Sequence, residues 1–368
     1  MNAFDVQVQG AGIVGRCLAL ALGRLGLSVA LRRDPAAAGA EDVRAYALNP
    51  ASVALLRSLK VWDSLAGAAR TPVYDMRVRG DAPGGELAFS AWQQRVDALA
   101  FITDASALER ELAAALRFAP HVTEVDHDVE AALTAICEGR ASAQRTARGV
   151  AFERHDYGQR AIAARLTATL PHRGVAQQWF RAPDVLALLP FDTPVSERSY
   201  ALVWSLPADR ADTLLRLDPA GFEQSLMEAT GGEAGDLHLA SARAAWPLVL
   251  GRADRWSGPG WVLLGDAAHV VHPLAGQGLN LGLADVAALA RVIAGREAWR
   301  PLGDARLLRR YERERLAPTW AMGEVTDGLL RLFAHESTAL RELRNRGLTL
   351  VNRLTPAKRW LTARALGS

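Results

Sequence analysis

Residues 4–34 read FDVQVQGAGIVGRCLALALGRLGLSVALRRD, and the fold class turns on them. Residues 4–9 alternate apolar and polar, as a strand does. Apolar positions then recur at helical spacing, and Gly26 can stop the helix. LSVALR (27–32) reads as a second strand. This strand–helix–strand opening predicts an α/β, Rossmann-like domain. Gly10, Gly12 and Gly15 spell G-x-G-x-x-G at the strand-to-helix turn. The first permits the tight turn, the second lets the backbone approach a pyrophosphate, and the third lets helix and strand pack closely. The helix N-terminus then offers free N–H groups to an anion. The bland alternative is a tight turn with no ligand.

The second strand of such a unit normally ends in an acid for the adenosine ribose. Arg33 holds that position. Three readings follow. Asp34 could substitute, but alternation points it the wrong way unless the strand end bends. Arg33 could read a 2′-phosphate. Or adenosine is simply held less well, which is the reading carried forward.

The chain has 368 residues, half of them hydrophobic and under a quarter charged. That is an ordinary globular composition with room for two domains. Apolar runs such as CLALAL (17–22) and VLALLPF (185–191) are too short to span a bilayer. No leader pattern precedes the first strand, so the expected location is cytoplasmic. Cys17 and Cys137 suggest neither a disulfide framework nor a metal site. The net charge is +3, and no nucleic-acid partner is expected. Residues 341–364 carry seven basic groups against one acid, Glu342. That segment is either a solvated helix face or a contact for an anionic membrane surface at its inner face.

Residues 50–65 and 104–117 look like amphipathic helices. Residues 71–101 and 171–250 are rich in strand-like pieces such as YALVWSL (200–206). Residues 304–334 and 338–365 read as mostly helical. The order places a sheet-rich lobe inside an interrupted nucleotide-binding domain. The expected boundaries are 1–70, 98–170 and 258–330 for that domain, 71–97 and 171–257 for the substrate domain, and 331–368 for a C-terminal helical segment.

Residues 261–283, WVLLGDAAHVVHPLAGQGLNLGL, are the most specific signal. A buried strand delivers Gly265 and Asp266 to a turn, Ala267 and Ala268 keep the backbone accessible, and Gly276, Gly278 and Gly282 surround the next helix start. The pattern sets an acid suited to sugar-like hydroxyls beside a helix N-terminus. His269 and His272 are spaced H-x-x-H, but no third ligand accompanies them, so no metal is expected. Trp179, Phe180 and Trp204 could line an apolar pocket, with core packing the commoner role.

Taken together, these segments resemble the flavoprotein aromatic hydroxylases, and most closely the ubiquinone-biosynthesis hydroxylase family. GAGIVG is similar to that family's FAD diphosphate turn. RAYALNPASVALLRSLKVWD (44–63) is similar to its arginine-bearing segment, LLGDAAHVVHPLAGQGLNLGLAD to its second FAD motif, and LRNRGLTLVNRLTPAKRWLTARALG (343–367) to its C-terminal helix. The resemblance implies a fold like p-hydroxybenzoate hydroxylase, bound FAD, NAD(P)H as transient electron donor, O2, and an aromatic, prenylated substrate. It implies that Gly10, Gly12 and Gly15 face the FAD diphosphate, with Arg33 at the ribose position. Arg44 would lie near the adenosine–diphosphate half, and Gly265 and Asp266 near the ribityl and diphosphate region. Pro273, Gly276, Gln277 and Gly278 would approach the isoalloxazine ring, with Asn280 following. His272 and Pro273 would line the catalytic face. The chain also departs from the family. In ICEGRASAQR (136–145) Glu138 stands at the family's aspartate and Cys137 at its alanine, and the preceding segment looks trimmed by a strand pair. Flavin binding with a weakened adenosine end is therefore expected. The alternative is a non-catalytic relative serving in a biosynthetic complex. A halogenase or isoprenoid reductase ranks last, since no W-x-W-x-I-P element is present.

Overall fold

A computed structural model describes residues 4–33, 42–80, 86–271 and 277–334. Strand β1 (Phe4–Gln9), helix α1 (Ile13–Gly23) and strand β2 (Val29–Arg32) form the expected opening unit. β1 and β2 run parallel, with Val6 opposite Val29 and Gln9 opposite Arg32. Val6 and Val8 are fully buried against a core that includes Leu18 and Leu22 of α1. The sheet is six-stranded, in the order 257–258, 261–263, 131–136, β1, β2, 122–125. Strand Ala131–Ile136 lies parallel to β1 on one side and to Trp261–Leu263 on the other. Both nucleotide-type strands therefore lie in one parallel stretch of one sheet, a single strand apart, although some 250 residues separate them in the chain.

Only residues 126–130 link strand Val122–Val125 to strand Ala131–Ile136. The link crosses the sheet face that carries Gln7 and Gln9. Asp128 Oδ1 accepts from Gln7 Nε2 at 3.2 Å, Gln9 Nε2 at 2.9 Å and Arg32 at 2.7 Å. Those donors satisfy a carboxylate above an otherwise polar, buried face.

A second, nine-stranded sheet is built around strand Phe152–Ala168. That strand pairs antiparallel with Ser199–Pro207 and Ala244–Ala253. The expected boundary at residue 170 would have put it in the first domain. Its first half, FERHDYGQR, is mostly polar and exposed, so no hydrophobic alternation announces it. Helices Ala208–Arg216 and Pro219–Thr230 cover one face and bury Trp179, Trp204, Phe222 and Leu226 in one core. Strand β3 (Ala45–Leu48), with strands Arg70–Val73 and Ala100–Asp104, forms a three-stranded sheet. Its Val73 and Ile102 pack on Phe191 and Ala201 of the nine-stranded sheet, which joins the two lobes.

Candidate cofactor and substrate site

The three glycines of the first turn have different physical reasons. Gly10 has φ +101°, and a β-carbon there would lie 2.5 Å from the Cys137 carbonyl oxygen. At Gly15 a β-carbon would lie 1.9 Å from the Gly10 oxygen. Both positions are closed by backbone on backbone. Gly12 is exposed, and a β-carbon there would meet nothing within 4 Å. It is also the N-cap of α1, without a side-chain cap and with no acid in the first turn. Open space over uncapped amide donors is the geometry a diphosphate requires.

The second turn lies beside the first. Gly265 has φ +58°, and its missing side chain faces Val14 of α1 at 3.3 Å. A β-carbon on Gly282 would lie 2.8 Å from the same valine. Val14 thus fills the notch between the two glycine-bearing segments and sets them side by side. Asp266 follows, with its side chain half exposed and Arg140 Nε 3.9 Å away. Surrounding atoms still crowd it, and that desolvation raises its pKa against the pull of His269, Arg140 and Arg44. Gly278, in helix Gln277–Ala294, also faces open space.

Arg44 stands over the Tyr46 ring at 5.8 Å and is held in a bidentate pair with Asp42, at 2.6–3.0 Å. Its charge is felt by Asp266, and that of Asp266 by Tyr46, whose phenol burial pushes up to about 12. Arg44 and Asp266 therefore lie within electrostatic reach of one another. Arg33 is more than half exposed and pairs with Glu124 of the edge strand at 3.7 Å. An acid is thus present next to the end of β2, supplied by the neighbouring strand. Glu138 turns into its own loop, where Oε2 accepts from Ser142 Oγ at 2.7 Å and Gln144 N at 3.0 Å. Asn280 is buried, and its Oδ1 accepts from Asn49 N and Ser52 Oγ while its Nδ2 donates to the Ala47 oxygen. It clasps β3 and helix Pro50–Ser58 to helix Gln277–Ala294. His272, Pro273, Gly276, Asp34 and the basic segment 341–364 lie outside the described residues, as does the side chain of Gln277.

Sequence reading missed one cluster. Asp285 is fully buried, and its carboxylate faces His269 Nε2 at 2.6 Å, Arg315 Nε at 2.7 Å and the Gly265 amide at 3.0 Å. Burial pushes its pKa up, but His269 and Arg315 outweigh burial and hold it below the usual carboxylate range. An ionised carboxylate only accepts, so the imidazole proton sits on Nε2. Among the described residues no group of three His, Cys, Asp or Glu side chains is placed to hold a metal.

Trp179 and Trp204 face the helices of the second lobe, and Phe180 lies in a small cluster with Val78, Leu87 and Val185. Phe180 pairs with Val185 and so points to the sheet face opposite Trp179 and Trp204. By strand alternation that face also carries Ala161, Ala163, Val203, Ser205 and Ala187, together with Val185 and Trp246. On that face Arg165 donates to the Arg44 oxygen at 2.7 Å and Asp104 at 2.9 Å, so it fronts the cofactor lobe. Val203 and Ala187 are only partly buried on that face, whereas Ala161, Ala163 and Ser205 are covered.

Residues 92–326 match the family described as FAD binding domain. The chain is similar to the ubiquinone hydroxylase UbiL of Rhodospirillum rubrum, with 32% identity over 99% of this chain and 90% of that protein. It is 29% identical to the 3-demethoxyubiquinol 3-hydroxylase of Escherichia coli, over 99% of this chain and 98% of the relative. Its fold is that of p-nitrophenol 4-monooxygenase PnpA from Pseudomonas putida, with a TM-score of 0.77 and 18% identity, covering 100% and 99% of the two chains.

Proposed function

Because the chain belongs to the FAD binding domain family, we propose that it is an FAD-dependent monooxygenase that hydroxylates an aromatic ring, a prenylated phenol of ubiquinone biosynthesis. The observation that carries the reading is the convergence of both glycine turns on Val14. That convergence sets open amide donors and the half-exposed Asp266 side by side. When bound, FAD supplies the redox chemistry, with electrons from NAD(P)H and oxygen from O2. The chain supplies binding and placement. The α1 N-terminus holds the diphosphate, and Arg44 adds a fixed cation near it. Asp266 accepts hydrogen bonds from ribityl hydroxyls. The partly open sheet face at Ala187 and Val203 would position the ring and keep water from it.

A prenylated substrate resides in lipid, and no described helix is long and apolar enough to cross a membrane. Trp320 and Leu316 stand exposed one helical turn apart on helix Ala305–Ala334, with Arg252 stacked 5.6 Å from the Trp320 ring. These residues suit a peripheral contact with a lipid surface.

The test supplies FAD-loaded protein with NAD(P)H, isotopically labelled O2 and phenols with and without a prenyl tail. The expected product carries one labelled oxygen on the ring, with the tailed phenol preferred. Retained flavin with no oxygen transferred to any phenol would replace this reading with that of a non-catalytic component.

A further inference from the structure

Helix Ala305–Ala334 grips the segment that presents Asp266 at three points. Tyr311 Oη donates to the Leu263 oxygen at 2.9 Å. Glu312 accepts from Trp256 N at 2.9 Å and Ser257 Oγ at 2.6 Å. Arg315 reaches Asp285, which in turn receives the Gly265 amide and His269. The three residues lie within about one helical turn, so a single rigid element holds the strand, the turn and the start of the loop that follows. Tyr311 is fully buried and Arg315 nearly so. His269 is stacked on Trp256 at 4.8 Å between ring centroids, which fixes the ring while its Nε2 engages Asp285.

We propose that Arg315, Asp285 and His269 are positioning residues that make FAD affinity depend on the docking of helix Ala305–Ala334. This rests on the FAD reading above. The ion cluster touches the Gly265 amide and not Asp266 itself, so it acts through the turn. Asp285 orients Gly265, whose left-handed backbone sets the direction in which Asp266 leaves the strand. His269 is the second partner of Asp285 and lies three residues beyond Asp266. The other titratable groups facing Asp285 are Cys137 and Tyr311, and Glu312 faces Tyr311 from the helix. The same helix carries exposed Leu316 and Trp320 just beyond Arg315.

The experiment compares wild type, Arg315→Lys, and the double variant Asp285→Asn with Arg315→Met. The double variant removes both charges together, which spares the fold an uncompensated buried ion. FAD dissociation constants are read by flavin fluorescence, and the bound flavin's visible circular dichroism reports its setting. Thermal unfolding of each apoprotein reports the fold. The expected result is an FAD dissociation constant raised about tenfold or more in the double variant, within the usual range of such couplings. Its flavin dichroism changes, its apoprotein unfolds cooperatively, and Arg315→Lys recovers part of the affinity. Unchanged FAD affinity and dichroism in a folded double variant would overturn the proposal and leave the cluster as a core ion group. If the double variant does not fold, Tyr311→Phe decides, because it removes only one hydroxyl from the same grip. It should weaken FAD by several-fold, and no change would overturn the proposal. A wild type that binds no FAD would overturn the cofactor reading itself and this inference with it.

Discussion

At the scale of single residues, the first turn separates two kinds of glycine. Gly15 is required by the fold, because its β-carbon would lie inside the Gly10 carbonyl. Gly15→Ala is expected to destabilise the apoprotein by at least about 3 kcal/mol, read by urea unfolding. Gly12 is required only by what approaches it. Gly12→Ala should change apoprotein stability by less than about 1 kcal/mol and still weaken FAD binding about tenfold or more. Equal effects of the two substitutions on stability would contradict this division. Arg33 is an exposed partner of Glu124, and such pairs contribute little. Arg33→Ala should therefore leave FAD affinity within about threefold of wild type, as measured by titration.

At the scale of elements, the helix Gln277–Ala294 is the piece on which the site is assembled. Asn280 ties it to β3 and helix Pro50–Ser58 through partners more than 200 residues away. Asn280→Ala would leave buried Asn49 N, Ser52 Oγ and Ala47 O without that partner. The expected loss is about 2–4 kcal/mol of stability by chemical unfolding. This clasp shows where sequence reading stops. The glycine turns are legible because their constraints are local: φ, a neighbouring carbonyl, the spacing of a helix start. The role of Asn280 is set by contacts across the chain, and nothing near residue 280 announces them. The same holds for Asp285 and Arg315, which sit on two different helices as an ordinary acid and an ordinary base. His269 drew notice in the sequence only through its spacing to His272, and its actual partner lies 16 residues away. The long strand Phe152–Ala168 escaped because its first half is polar.

At the scale of the whole molecule, Asp285 links stability to pH. Its folded-state pKa lies below the usual carboxylate value of about 3.9. The stability it contributes is therefore complete above that value and is lost as pH falls through the lower, folded one. Asp285→Asn should flatten the decline of unfolding free energy below about pH 4, and an unaltered slope would contradict the sign. Cys17 and Cys137 are buried, and desolvation pushes both thiols far above their ordinary values. Both should resist alkylation in the native protein and react together on unfolding. Fast labelling of either one at native conditions would place an opening near the diphosphate turn. The fold class was open to reading from two short segments, because a strand–turn–helix at each end of the chain needs one sheet to hold both. The large second sheet, and which of its faces fronts the first lobe through Arg165, depends on register and could be seen only once the strands were paired.

The chain belongs to an FAD-binding family even though Arg33 stands where a ribose acid is expected. The direct measurement is the visible absorbance of protein loaded with excess FAD and freed of unbound cofactor. The expected result is a flavin spectrum at about one FAD per chain, with clear loss in Gly12→Ala. A protein that is folded by circular dichroism yet retains no flavin after loading would contradict it.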